Sequence, residues 1–245
     1  DFTVRLQPAQ PWRRWIRPSI FITGDHWLPE ARPMALEHGL LAAEMGMNLQ
    51  MALGWRRHLL LHASCVEREG RALVITGESG SGKSTLAAML GERGWRLMGD
   101  EFALLDLVSG AIYAFPRLIS LKNRAIEVAT NGLDPSRLGP RLDGTAKGSI
   151  RHLVPAADAI ARMAEPAVPA LLLFPRFGYA EALRPVEQGE AFARLTEAST
   201  NYVALGETGF HALTRFVNSV PAVALDYPDS ATVLAAVETL WSEVA

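Results

Sequence analysis

Polar and apolar residues alternate at the start of the chain. Phe2, Val4 and Leu6 are separated by polar positions, and 19–23 (Ser-Ile-Phe-Ile-Thr) is a short apolar run. Two strands are expected there, joined by a loop containing Pro and Trp. After Pro33 the period changes. Leu36, Leu40, Leu41, Met45, Leu49 and Leu53 recur at helical spacing. That spacing predicts a helix over 34–54 with the stripe turned into a core. Residues 58–66 and 71–76 read as two buried strands around a polar turn at 67–70, which makes a hairpin. The second of them runs into a Gly- and Ser-rich loop, and 84–93 reads as the helix leaving it, closed by Gly94.

Shorter elements follow. A strand is expected at 95–98, a hairpin from 102–106 and 111–115, and a further strand at 117–121. A short helix over 122–129 ends at Asn131-Gly132. Residues 132–147 are rich in Gly, Pro, Asp and Arg and read as a long polar loop. Strands are expected at 149–154, 168–174 and 222–227, and amphipathic helices at 190–202, 209–217 and 231–244, while 155–163 is ambiguous. The pattern therefore predicts one α/β domain over 1–245: a mixed sheet with hairpins and flanking helices, on which the strands and helix of 1–57 pack.

Composition removes several functions. The 245 residues carry 24 Lys+Arg against 26 Asp+Glu, so the net charge is −2 and no nucleic-acid partner is expected. Arg13, Arg14 and Arg17 beside Trp12 and Trp15 read as a solvated edge. No apolar run approaches the length of a membrane span. No secretion signal is visible in the sequence, although the missing Met leaves a trimmed leader open. The single cysteine, Cys65, excludes a disulfide framework within one chain, and its apolar neighbours suggest an inert buried thiol. Together these point to the cytoplasm.

The candidate chemistry starts at Gly77-Glu78-Ser79-Gly80-Ser81-Gly82-Lys83-Ser84-Thr85. This run fits the phosphate-binding (Walker A, or P-loop) pattern G-x-x-x-x-G-K-[ST] at every fixed position. The glycines let the backbone close around phosphate with its N–H groups inward. Lys83 can reach the β- and γ-phosphates, and the Ser84 hydroxyl can ligate Mg²⁺. The helix N-terminus adds partial positive charge beneath them. A nucleotide is expected, with ATP and Mg²⁺ as the first choice.

Asp100 and Glu101 end the next strand. Strand ends are where an open α/β sheet holds its ligands. One carboxylate there can hold Mg²⁺, directly or through water, while the other accepts a proton from an attacking hydroxyl. His62, on the strand before the loop, is a further candidate. Arg117, Lys122, Lys147 and Arg176 flank short strands and are candidates for neutralising a transferring phosphoryl group. His152, Asn201 and Tyr202 are weaker ones.

These residues carry a resemblance. His62-Ala63-Ser64-Cys65-Val66, the hairpin, the loop, Arg93-Gly94-Trp95-Arg96-Leu97 and Gly99-Asp100-Glu101 resemble the catalytic domain of HPr kinase/phosphorylase. The run from Glu101-Phe102-Ala103-Leu104-Leu105-Asp106 is similar to one characteristic of the HPr kinase-related kinase A group. Pro116-Arg117, Ser120-Leu121-Lys122-Asn123, Lys147-Gly148, Phe174-Pro175-Arg176 and Asn201-Tyr202 continue that likeness. The resemblance implies a phosphoenolpyruvate-carboxykinase-like nucleotide fold. It also implies Asp100 as general base, Glu101 as metal ligand, and His62 as a partner of the phosphates or of Asp100.

Three departures stand out. Pro116-Arg117-Leu118-Ile119-Ser120 occupies the approximate place of the family's R-G-L-G-I-like segment, which is tied to phosphorylase activity and HPr docking. No counterpart of the separate N-terminal domain of bifunctional HPr kinases is expected within these 245 residues. The acid pair is Asp-Glu rather than Asp-Asp.

The expected activity is transfer of the γ-phosphoryl group of MgATP to a hydroxyl, a serine of a small protein or peptide other than HPr. A small-molecule kinase and a slowly hydrolysing nucleotide switch are the alternatives. HPr kinases are hexamers, so the resemblance leaves a homo-oligomer open.

Overall fold

The computed structural model describes residues 2–26, 33–130, 133–145 and 147–244. By its contacts the chain separates into Asp1–Arg56 and Arg57–Ala245, and each unit is described by itself.

In the first unit, β1 (Val4–Pro8) pairs antiparallel with β2 (Ser19–Gly24), and β2 with the two-residue β3 (Met34–Ala35). A short 3-10 turn, Pro11–Arg14, lies in the first connection and another, Leu36–His38, precedes α1 (Gly39–Gly54). The helix therefore starts five residues later than its periodicity suggests, because Met34 and Ala35 are taken into the sheet by Ile20 and Ser19.

The expected core stripe is also displaced. Ala42, Gly46 and Gln50, spaced one turn apart, are buried. A Cβ on Gly46 would lie 2.7 Å from Ile22 and 2.8 Å from Val4, so the absent side chain is what lets helix and sheet approach. Gln50 closes the contact, accepting from the His26 N–H and donating to its carbonyl at 2.8 Å each. Leu40, Met45 and Leu53 are left 46%, 51% and 42% exposed. Period alone locates the apolar face, whereas close packing here selects the small one.

The second unit is built on an eight-stranded mixed sheet. It comprises β4 (His58–Arg68), β5 (Arg71–Thr76), β6 (Arg96–Gly99), β7 (Phe102–Asp106), β8 (Ile112–Tyr113), β12 (Val168–Phe177), β13 (Ala182–Pro185) and β14 (Ala222–Tyr227). The order is β13-β14-β12-β5-β4-β7-β8, with β6 also paired to β4. β12 is parallel to both β5 and β14; the remaining pairs are antiparallel. A separate three-stranded sheet has the order β10-β11-β9, from β9 (Ile119–Lys122), β10 (Leu138–Thr145) and β11 (Gly148–Leu153).

The helices are α2 (Lys83–Gly91), α3 (Arg124–Thr130), α4 (Ala157–Ala161), α5 (Gln188–Ala198), α6 (Tyr202–Ser219) and α7 (Ser230–Glu243). They cover both faces of the large sheet. Leu73 and Ile75 of β5 and Leu171 and Leu173 of β12 share one core with α2, α3 and α7. Ala72, Val74, Leu172 and Phe174 share the other with α5 and α6. Unbroken apolar strands are what a sheet covered on both sides requires.

Two expectations are corrected. Residues 138–145 are not loop but strand: Leu142 packs inward and pairs with Ile150, and Thr145 pairs with Gly148. Gly132 and Ala146 of that segment, with Asn131, lie outside the described residues. The polar turn expected at 67–70 is shorter, since Glu67 and Arg68 still belong to β4. Glu67 is buried there in an ion pair with Arg96, whose Nε donates to it at 2.5 Å. Burial raises the Glu67 pKa, but the bonds from Arg96 and from the Gly70 N–H outweigh it and hold the carboxyl below its ordinary value.

Candidate functional site

β5 delivers the chain into the loop at Thr76, whose hydroxyl is anchored on the His62 carbonyl at 2.9 Å. Gly77, Gly80 and Gly82 have φ of 152°, 88° and 99°. At Gly82 space matters as much as torsion: a Cβ would lie 1.9 Å from the Tyr227 hydroxyl. That hydroxyl donates to the Ser81 carbonyl at 3.0 Å, so the end of β14 fixes the loop from beneath. Burial pushes the Tyr227 pKa up to about 12, which keeps it a donor. The Lys83 ammonium is folded into the loop and donates to the carbonyls of Gly77 and Glu78 at 2.7 and 2.9 Å. Its pKa is lowered by burial, against the opposing pull of Asp100 and Glu101. The Ser81 hydroxyl is buried inside the loop without a hydrogen-bond partner. A cradle of side-chain-free backbone, one ammonium and one orphaned hydroxyl fits a phosphate group.

The acids sit at a break in a strand. β6 and β7 run successively along β4, from Cys65↔Gly99 to His62↔Phe102. Between them the Ala63 N–H still donates to the Glu101 carbonyl at 3.2 Å. Glu101 has φ of 94°, a left-handed conformation that a non-glycine residue adopts at a cost of about 1–3 kcal/mol. In a regular strand neighbouring side chains point to opposite faces. The left-handed residue breaks that alternation, and both carboxylates find partners two residues apart on β4, Asp100 on Ser64 and Glu101 on His62. Lys83 and Lys122 act electrostatically on both of them.

The two acids differ in character. Asp100 is buried, and it accepts from the Ser64 hydroxyl at 2.5 Å and from that of Ser84. Burial raises its pKa over the opposing effect of those two bonds. Glu101 is held at about 2, mainly by its hydrogen bond with His62, whose Nδ1 lies 3.2 Å from Oε2, against a smaller opposing effect of burial.

Of the predicted cations, the structure brings Lys122 and Lys147 to this group; both act on Glu101. The link between them is Asn123, at φ 50°, which accepts from the Ser149 N–H and donates to the Lys147 carbonyl. Arg176 lies near the end of β12. It is paired with Asp226, lies over the Tyr179 ring at 3.9 Å and is influenced by Glu78. Arg117 lies 5.4 Å from the Phe115 ring centroid. His152 is buried opposite Ser120 in the β9–β11 pairing. Asn201 is a clamp: it accepts from the Leu60 N–H and donates to the His58 carbonyl, joining the α5–α6 turn to β4. Tyr202 packs edge-on against Phe192.

Sequence reasoning gave no role to Ser64 or Tyr227. Ser64 is two residues from His62 on a strand, so the shared face was readable; its register against Asp100 was not. Among the described residues no group of three or more His, Cys, Asp or Glu is placed to hold a metal. A divalent ion here would depend on Ser84, Glu101 and the oxygens of a bound phosphate.

A 73-residue segment is 36% identical to HPr kinase/phosphorylase of Treponema pallidum, with the same figures in two strains. It represents 29% of this chain, and only 23% of the length of those relatives is spanned. No family model matches the sequence. Among solved structures, the Hpr(Ser) kinase/phosphatase from Coxiella burnetii aligns at 14% identity with a TM-score of 0.33, over 75% of this chain and 94% of that one. No helix among the described residues is long and apolar enough to cross a membrane.

Proposed function

We propose that the chain is an HPr kinase-like phosphotransferase that moves the γ-phosphoryl group of MgATP to a hydroxyl. The observation that carries this reading is the pair of unlike carboxylates at the left-handed break, bound to Ser64 and His62 of β4 and acted on electrostatically by Lys83 and Lys122. Asp100, with its pKa raised by burial, is suited to accept the proton of an attacking alcohol. Glu101, held at about 2, stays ionised and suits a metal ligand beside the Ser84 hydroxyl. His62 orients Glu101. Lys83, Lys122 and Lys147 supply positive charge where negative charge develops on the phosphoryl oxygens. Bound Mg²⁺ would add neutralisation of the β- and γ-phosphates.

The finer reading of the acceptor, a seryl hydroxyl on a small protein, rests on the similarity to HPr kinase/phosphorylase. The 138–153 segment adds less than expected, because it is a paired hairpin rather than an open loop. Incubation with γ-labelled ATP and, separately, HPr, free serine and any small protein found encoded beside this chain tests it. Labelling of a protein serine, lost in Lys83→Ala along with most MgATP affinity by calorimetry, is the expected outcome. Label on free serine alone would establish the metabolite kinase instead, and unchanged affinity in Lys83→Ala would remove the nucleotide site.

A further inference from the structure

The geometry points to Ser64 as the positioning residue that fixes the Asp100 carboxylate against the phosphate loop. The inference rests on the reading of Asp100 as the proton acceptor. Ser64 is 1% exposed in the middle of β4, a strand whose Leu59, Leu60, Leu61, Cys65 and Val66 are all buried and apolar. A hydroxyl buried in such a strand is unfavourable unless it is hydrogen-bonded. Its bond is donated to Asp100 Oδ1 at 2.5 Å. The pairing has a cause in the register. Cys65 faces Gly99, so the next residues along the two strands, Ser64 and Asp100, face each other. A bulge between Cys65 and Val66 sets that register, by matching them to Gly99 and Leu97.

Asp100 has a second hydroxyl donor, Ser84, but that residue is the one the loop pattern assigns to metal. Ser64 is the donor that comes from a central strand and has no other task. The charged groups around the carboxylate are Glu101, Lys122 and Lys83, with His62 beyond Glu101. None of them duplicates a fixed neutral donor from β4. Ser64 touches no reacting atom; it acts by holding one oxygen of Asp100 so that the carboxylate keeps one orientation.

The test uses the full chain. Ser64→Ala is expected to retain MgATP affinity and melting temperature while kcat falls by about 10²-fold, the scale of a small misplacement of a reacting group. Ser64→Thr, which keeps the hydroxyl, should recover most of the rate. On an Asp100→Asn background the further change Ser64→Ala should cost no further rate, since the amide there accepts no proton and its orientation no longer sets the rate. Parental kcat in Ser64→Ala, a rate loss matched by an equal loss of MgATP affinity, or no recovery in Ser64→Thr would each overturn the inference. A parent protein that turns over no MgATP would sink the kinase reading alone. The crystal structure of Ser64→Ala then decides: a displaced Asp100 side chain supports the inference, and an unmoved one overturns it.

Discussion

A buried carboxylate costs stability if it must be ionised, and Asp100 is the residue where that cost is concentrated. Its pKa is raised in the folded protein, chiefly by burial. A raised folded value means that the favourable contribution is complete below the unfolded pKa and is lost as pH rises through the folded one. Once ionised, the side chain therefore works against folding. Asp100→Asn, which can still accept from Ser64, should melt at a higher temperature than the parent at pH 7. The gain should shrink as pH falls into the ordinary carboxylate range. Phosphoryl transfer should drop by about 10²–10⁴-fold, the usual worth of a positioned general base. A lower melting temperature at pH 7 would show that Asp100 is a structural acid. Lys83 and Ser84 were legible in the sequence because a phosphate loop fixes its residues at local spacing, and Asp100 and Glu101 because they directly follow the next strand. Ser64 and the Glu67–Arg96 pair were not, because each depends on which residue of another strand lies opposite.

The phosphate loop shows what a local pattern contains and what it omits. The glycines at 77, 80 and 82 announce a tight turn, but only the fold shows that Tyr227, 145 residues after Gly82 in the numbering of the chain, fills the space a Gly82 side chain would need. Gly82→Ala should abolish MgATP binding through this clash and the left-handed torsion together. Tyr227→Phe removes the hydroxyl, the nearest atom, and the single change should weaken binding only mildly. The double variant Gly82→Ala/Tyr227→Phe should recover part of the affinity, since the next atom of the ring lies 3.3 Å away and the torsional cost remains. Calorimetry of the four proteins measures the coupling; strictly additive losses would show that Tyr227 does not set the loop. The same lesson applies to α1 and to 138–145. Their periods were read correctly as amphipathic and polar, but packing at Gly46 and pairing with β11 decided their orientation and their structure.

At the level of the whole molecule, the chemistry and the core lie in the same part of the chain. Every candidate site residue, from His62 to Tyr202, and the supporting Tyr227 fall within Arg57–Ala245. Both large apolar clusters are also formed there: their buried members begin at Leu59 and end at Trp241. Within Asp1–Arg56 the buried residues are few, Ile20, Ala42, Glu44, Gly46, Gln50 and Met51 among them. A sheet with helices on both faces needs no further layer to close its cores. The chain from Arg57 onward should therefore fold by itself and bind MgATP with the affinity of the full chain. Circular dichroism, a cooperative melt and calorimetry on the two lengths compare them directly. An insoluble or non-cooperative fragment would show instead that residues 1–56 belong to the same folding unit. A folded fragment with intact MgATP affinity but no transfer to the acceptor would assign those residues to acceptor recognition, the step for which the nucleotide site alone provides no residues.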